Sequence, residues 1–301
     1  MTLFDPLSPP HVYRLVCRPA LPKDTPDVLE LTRTIWDGHD YLPAVWDDWL
    51  RDYDGMLAVA EYGGRVVGTM KLTRLAPGEW WLEGLRVHPQ YQGRGFASHM
   101  QDYILDVWQR LGVGIIRLAT GSSRKAVHRL SERTGFQKIG EITAFAAETI
   151  TPATEMRGSF TSLHQGEARA ALDMARDLQA GLMDLGWQWT SPSIEKLAEA
   201  IFQGQTWWWR PGAGERRALL AAHIDDDDEA GVSLVVSLLA CPPVDLVGCL
   251  HDLRVLAGSL GQTRVGWYAP LGVGLEPALL GTGFRRDWED ALFLFEKEER
   301  T

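Results

Sequence analysis

The residues of this 301-residue chain best suited to chemistry lie in one stretch, Glu83-Gly84-Leu85-Arg86-Val87-His88-Pro89-Gln90-Tyr91-Gln92-Gly93-Arg94-Gly95-Phe96-Ala97-Ser98. A β-rich run there delivers a loop of small residues directly onto a helix start. Amides at a helix N-terminus lack intrahelical partners and the dipole is positive, so such a loop suits a phosphate or pyrophosphate. The glycines let a ligand approach the backbone, and Arg94 adds charge. Two dinucleotide readings fail. A Rossmann site wants its loop after the first strand of a βαβ unit and an acidic residue at the end of the next strand. Here the loop follows a hairpin, and the next strand ends Leu118-Ala119-Thr120. A P-loop needs Gly-Lys-Ser/Thr, which is absent.

The elements that must position this loop are well punctuated. Residues 13–18 read as a strand closed by Pro19, and Thr25-Pro26 starts a helix with Val28, Leu31, Thr32 and Ile35 at helical spacing. Two β-rich runs flank Gly63-Gly64, a hairpin signal. Pro77-Gly78 turns the chain into the strand that carries Glu83. After the loop, Phe96, Met100, Ile104, Trp108 and Leu111 recur near the helical period, and Gly112 stops the run. A further strand, a helix near 124–133 and a strand pair over 136–150 complete the first half. Residues 151–165 suit a linker or an entry strand. The second half repeats the layout, and both halves carry Thr-Gly-Phe before their last strands, at Thr134-Gly135-Phe136 and Thr282-Gly283-Phe284. That is the mark of an internal duplication.

Composition narrows the classes. Thirty Lys+Arg against forty Asp+Glu leave a net charge of −10, the wrong sign for a nucleic-acid surface. Cys17, Cys241 and Cys249 are unclustered, which excludes a disulfide framework and a Cys-rich zinc site. No metal is expected: the run Asp225-Asp226-Asp227-Asp228-Glu229 lacks the ligand spacing and glycine of a calcium loop and reads as a solvated hairpin. The first 25 residues carry no basic stretch followed by an apolar run, and no apolar run of about 18 residues occurs, so neither a leader nor a membrane span is expected. A cytoplasmic protein without nucleic-acid or membrane partners is expected. The 13 Trp, clustered at Trp207-Trp208-Trp209, are expected in the core.

Over about residues 12–150 the sequence resembles the GNAT superfamily of acetyl-CoA-dependent N-acetyltransferases. Gln92-Gly93-Arg94-Gly95-Phe96-Ala97 is similar to that family's Gln/Arg-x-x-Gly-x-Gly/Ala signature. Arg18-Pro19-Ala20 with Asp24 is similar to its opening, and Leu130 to Gly135-Phe136 to its late helix-to-strand junction. Ile35-Trp36-Asp37-Gly38-His39-Asp40-Tyr41-Leu42-Pro43, Trp49-Leu50-Arg51-Asp52 and Glu83 to Val87 resemble the histidine N-acetyltransferase-like subgroup. The resemblance implies an α/β (α+β) GNAT fold, a mixed, mostly antiparallel sheet flanked by helices. With the duplication it implies a tandem: an acetyl-CoA-binding domain over 12–155, and over 156–299 a GNAT-like domain without a pyrophosphate loop. In the second half Cys241-Pro242-Pro243 stands where that loop would be, and proline has no N–H to offer.

The resemblance also implies roles. Acetyl-CoA would be the cofactor, and the amine of a small molecule, such as an amino-acid α-amine like that of histidine, would attack the thioester directly. Leu85, Arg86 and Val87 would pair with the pantetheine arm and offer an N–H to the developing oxyanion. Gln92, Gly93, Arg94, Gly95, Phe96, Ala97 and Ser98 would hold the pyrophosphate, with Arg124, which replaces a family Asn on the late helix near 124–133. Glu83, with the strand parity of Leu85 and Val87, would take the ammonium proton. Ser131 stands where many members place a Tyr that protonates the leaving thiolate, with His128 as an alternative. Asp40 and Tyr41 would face the acceptor, and Arg51 or Arg86 could meet a substrate carboxylate. The competing class is an acyl-CoA-binding regulatory module without turnover. A homodimer is compatible with the sequence.

Overall fold

A computed structural model describes residues 14–151, 159–227, 231–272 and 274–299, apart from Thr34, Trp36 and Asp37. Tyr13, the linker core 152–158 and Asp228-Glu229 of the acidic run therefore lie outside the described residues, as do Trp36 and Asp37 of the subgroup segment. The chain folds into two compact units. One takes in the chain up to Leu118, Ala126–Gln137 and Glu296 onward; the other comprises Ala119–Lys125 and Lys138–Phe295.

In the first unit, β1 (Val16–Pro19) leads to α1 (Thr25–Thr32) and α2 (Leu42–Arg51). The meander β2 (Met56–Tyr62), β3 (Arg65–Ala76) and β4 (Glu79–Val87) follows. Then come α3 (Phe96–Leu111), β5 (Gly114–Gly121), whose last residues belong to the second unit, and α4 (Lys125–Arg133). The sheet order is β1-β2-β3-β4-β5, antiparallel until β4 meets β5 in parallel. Gly63 and Gly64 both have positive φ, as a two-residue hairpin turn between Tyr62 and Arg65 requires. α3 buries Phe96, Met100, Ile104 and Trp108, four of the five residues its sequence period picks out, while Leu111 at the end of the helix is exposed. Arg18 bonds both oxygens of the buried Asp24 at 2.7 and 2.8 Å and also reaches Glu61. Burial works against the Asp24 charge, but these bonds and the Leu21 amide hold its carboxyl below the ordinary value.

The second unit begins with β6 (Gln137–Glu148), β7 (Phe160–Ser162), α5 (Ala168–Asp177) and the short hairpin β8 (Met183–Asp184) and β9 (Trp189–Thr190). Next are α6 (Ile194–Phe202), β10 (Thr206–Trp209), β11 (Ala218–Asp227), β12 (Gly231–Ala240) and α7 (Leu246–Ser259). It closes with β13 (Arg264–Pro270), α8 (Leu275–Gly281), β14 (Arg285–Arg286) and β15 (Leu292–Glu299), whose last residues return to the first unit. The order here is β6-β13-β12-β11-β10-β7. The expected strand pair over 136–150 is one long strand, and it hydrogen-bonds to β13 from Ile142 to Glu148. The compact units follow this pairing, not chain order, and so do not coincide with 12–155 and 156–299.

The two Thr-Gly-Phe junctions share their local geometry. Gly135 and Gly283 both have positive φ, and Phe136 and Phe284 return their amides to Ser131 and Leu279. That is the same six-to-one helix ending twice. Thr134 and Thr282 each donate a hydroxyl to the carbonyl four residues back. Trp207, Trp208 and Trp209 are all buried, Trp208 toward α5 and α6 and the other two toward α7. The core reading of this run is therefore right. Asp225 to Asp227 continue β11 opposite Ser233 to Gly231.

One buried carboxylate stands out in this unit. Asp184 Oδ1 accepts the amides of Gly186 and Trp187 at 2.9 Å, while Oδ2 is buried without a partner. Burial pushes its carboxyl up to about 6, against those backbone donors. A raised carboxyl favours folding fully below its unfolded value, and the advantage fades as pH rises through about 6. Asp184→Asn keeps the amide acceptor and removes the charge. The stability difference between variant and parent is expected to shift in the variant's favour by about 2 kcal/mol from pH 4 to pH 8. Thermal or denaturant unfolding across that range measures it, and parallel pH curves would show that the site tolerates the charge.

Candidate active site

The strands β4 and β5 are paired only from Glu79–Ile115 to Trp81–Arg117. Both run on past that point, β4 to Val87 and β5 to Gly121. The buried Arg117 fastens the last paired turn, bonding Glu79 at 2.9 Å and Glu296 at 2.7 Å. Beyond it, among the described residues, the β5-side edge of β4 has no strand partner.

A β-bulge shapes that edge. Lys71 of β3 faces Glu83 and Thr69 faces Arg86, so β4 spends three residues where β3 spends two. Gly84 takes φ +67 inside the bulge, and a Cβ there would stand 2.7 Å from the Trp49 ring of α2. Two constraints, left-handed backbone and a close aromatic, thus require glycine. The Thr69 hydroxyl donates to the Gly84 carbonyl at 2.9 Å, the His88 amide donates to Val67, and the Arg86 carbonyl faces Gly68 on the β3 side. By strand alternation the backbone groups of Leu85 and Val87 point to the unpaired edge. Their carbonyls accept from the side chains of Arg86 at 3.2 Å and Gln92 at 3.0 Å.

The bulge corrects the expected parity. Glu83 shares its face with Arg86, not with Leu85 and Val87, because one extra residue inverts the alternation. A glycine inside a β-rich run is the sequence signal for such a bulge. On the same face Thr73 donates its hydroxyl to Glu83 Oε1 at 2.6 Å. Lys71, fully buried opposite Glu83, pairs with Asp52 and the Leu72 carbonyl. Neither Thr73 nor Lys71 was marked by a local motif; their alternation along β3 is the signal that could have drawn attention to them.

The helix-connecting segment before α2 covers this face. Arg86 bonds Asp40 through both oxygens at 2.8 and 2.9 Å, and the Tyr41 ring lies 5.2 Å from its guanidinium. Burial opposes the Arg86 charge, and the Asp40 hydrogen bond together with Tyr41 and the Asp40 charge more than offset it. Asp40 Oδ1 also accepts the Leu42 amide at 3.1 Å. Asp40, expected to face an ammonium, is instead a buried anchor for Arg86 and the α2 start. Arg86 is likewise committed within the protein. Tyr41 packs edge-on against Trp49 at 6.2 Å and stays partly exposed. Arg51 sits on the surface, paired with Asp48.

The loop after β4 is open. Gly93 and Gly95 have φ +75 and +80, and a Cβ at Gly93 would meet nothing within 4 Å. Gly95 occupies the N-cap of α3 and has no side chain to bond the first-turn amides of Phe96, Ala97 and Ser98. Below the loop Tyr91 stacks on Phe96 at 6.0 Å, with Tyr62 against both, and Arg94 lies over the Tyr91 ring at 5.3 Å. Arg124 is exposed in the turn before α4, in the segment assigned to the second unit. Ser131 is fully buried and donates its hydroxyl to the Val127 carbonyl at 3.0 Å. Its expected role as proton donor does not fit that environment. His128 is buried on the same helix.

The second unit repeats the frame without the loop. β12 and β13 are parallel from Ser233–Arg264 to Val236–Trp267 and then unpaired, and β12 carries a register shift opposite Ala221 and Ala222. Pro242 and Pro243 follow, and Asp245 stands at the N-cap position of α7 with its carboxylate turned to Arg217 at 2.7 Å and no bond to the first-turn amides. Two missing amides and an added carboxylate oppose an anion there. Among the described residues no group of His, Cys, Asp or Glu is arranged to hold a metal, and no helix is long and apolar enough to cross a membrane.

Comparison with known proteins places this geometry in context. Residues 25–136 match the acetyltransferase (GNAT) family. A histidine N-acetyltransferase of Xenopus tropicalis is 33% identical over 87 residues, covering 29% of this chain and 27% of that protein. A probable N-acetyltransferase 16 of Homo sapiens is 28% identical over 211 residues, covering 62% of this chain and 57% of that protein. The match thus spans about a quarter of the first relative and somewhat over half of the second. Among solved structures, a GCN5-related N-acetyltransferase from Sphaerobacter thermophilus superposes with TM-score 0.62 at 15% identity, covering 95% of this chain and 96% of that one. At that identity the likeness speaks for the fold: a mixed α/β GNAT fold with a mostly antiparallel sheet flanked by helices.

Proposed function

We propose, from the GNAT acetyltransferase domain that residues 25–136 carry, that the chain is an acetyl-CoA-dependent N-acetyltransferase acting on the primary amine of a small molecule. An amino-acid α-amine such as that of histidine is the first acceptor to test, in keeping with the histidine N-acetyltransferases among its relatives. One observation carries the reading: the unpaired Leu85–Val87 edge of β4 runs through an open glycine loop to a helix start without a side-chain cap.

The residues present fit the cofactor: a Cβ at Gly93 would meet nothing within 4 Å, and Gly95 leaves the first-turn amides of α3 without a side-chain cap. Bound acetyl-CoA supplies the acetyl thioester. The amides of Leu85 and Val87 would bond the pantetheine arm and offer donors for an acyl oxygen. Gln92 through Ser98 would hold the pyrophosphate. Glu83 takes a proton from the acceptor ammonium, directly or through water. Tyr41 borders the acceptor, and Asp40 holds Arg86 in place behind it. No side chain is assigned as the acid. The second unit is read as a GNAT-like domain without a cofactor loop. The three cysteines are free, which suits a reducing compartment such as the cytoplasm.

The sequestered Ser131 hydroxyl favours one second reading, an acyl-CoA-binding module without turnover. A thiol-release assay separates the two. Acetyl-CoA is offered with histidine, other amino acids, polyamines and aminoglycosides in turn. Amine-dependent thiol release is the expected outcome; tight acetyl-CoA binding with no release for any amine would overturn the enzyme reading.

A further inference from the structure

Thr73 and Glu83 are not direct cross-strand partners. Thr73 stands opposite Trp81, and Lys71 stands opposite Glu83. The Thr73 hydroxyl nevertheless reaches Glu83 Oε1 at 2.6 Å, a diagonal contact across the sheet face. To make it, the Glu83 side chain leans back along β4, away from the Gly84 bulge. A hydroxyl donating to a carboxylate at this length forms a charge-assisted bond, about twice as strong as one between neutral groups.

The other charged and titratable groups on this face are already committed. Lys71 pairs with Asp52, and Arg86 pairs through both oxygens with Asp40. The Tyr41 phenol interacts electrostatically with both Arg86 and Glu83. Each of these two cations carries its own carboxylate. Thr73 differs in kind: it is a neutral donor, and its hydroxyl bond goes to Glu83 itself.

We infer that Thr73 is a positioning residue for Glu83, its hydroxyl fixing the carboxyl on the β3–β4 face and favouring the ionised form that a general base must have. The inference rests on reading Glu83 as the base. Losing one charge-assisted donor moves a carboxyl by about one pH unit. Valine matches threonine in shape and lacks the hydroxyl; serine keeps the hydroxyl and loses the methyl.

The test titrates the Glu83 carboxyl by carbon-13 NMR in the full chain, its resonance assigned by its loss in Glu83→Gln. In Thr73→Val the midpoint is expected to rise by about one unit, and in Thr73→Ser to return to the parent value. With acetyl-CoA and histidine, the acidic limb of the kcat/KM profile should move by the same amount in Thr73→Val while KM for acetyl-CoA stays put. A merely structural role would lower stability without moving either midpoint. If Glu83→Gln leaves the rate intact, the base assignment falls and the inference with it. If Glu83→Gln lowers the rate but Thr73→Val leaves midpoint and limb unmoved, the inference alone falls.

Discussion

Gly93→Glu is expected to weaken coenzyme A binding by about a hundredfold while leaving the fold in place. The position allows a clean test because a Cβ there meets no protein atom within 4 Å. The added carboxylate then stands in the loop proposed to hold the pyrophosphate. A carboxylate about 6 Å from a phosphate costs about 3 kcal/mol at an effective dielectric of about 20, which is about two decades in Kd. The left-handed backbone, φ +75, adds a modest strain of about 1 kcal/mol that any side chain would share. Gly93→Ala carries that strain without the charge and is expected to bind coenzyme A within about tenfold of the parent, since 1.4 kcal/mol is one decade. Calorimetric titration of both variants with coenzyme A reads the difference. Unchanged affinity in Gly93→Glu would remove the loop from the cofactor site.

Glu83→Gln is expected to lower kcat by about a hundredfold or more near neutral pH, the usual range for loss of a general base, with acetyl-CoA affinity unchanged. An ammonium acceptor is mostly unreactive until it loses a proton, and glutamine cannot take one. The amide can still accept the Thr73 hydroxyl bond that now runs to Oε1 at 2.6 Å, so the side chain keeps its place and only its basicity is lost. The rate of the variant should then climb with pH as the free amine becomes available without help. An unaltered pH profile, measured with the same acceptor before and after the change, would refute the assignment.

Both variants rest on residues that stand out in the linear chain, and the reason is physical. The glycine loop, the Gly63-Gly64 hairpin and the α3 stripe are local: their spacing follows from turn geometry, the helical period and the amides at one helix end. Gly93, Gly95 and the buried Phe96, Met100, Ile104 and Trp108 accordingly sit where their spacing predicts. The duplicated Thr-Gly-Phe junctions are local in the same way, each a helix ending closed within six residues.

What escaped the sequence reading was non-local. Asp40 and Arg86 are 46 residues apart, and only their meeting turns a candidate substrate contact into an internal ion pair. Ser131 lies on the buried side of α4, where its hydroxyl turns inward to Val127, a fact decided by what the helix packs against. The strand β6 follows the first half in sequence but pairs with β13, because strand partners are chosen by edges in space.

For this chain, then, the sequence by itself determined the local devices: a glycine loop at a helix start, a hairpin, the helix stripes and a repeated helix ending, each set by neighbours a few residues away. The tertiary structure alone decided where β4 leaves β5 and that an extra residue at Gly84 turns Glu83 onto the face of Arg86 and Thr73. The reason is the two-residue period of a strand. One inserted residue reverses every side chain beyond it, and whether it is inserted depends on the partner strand and on the Trp49 ring packed against that glycine.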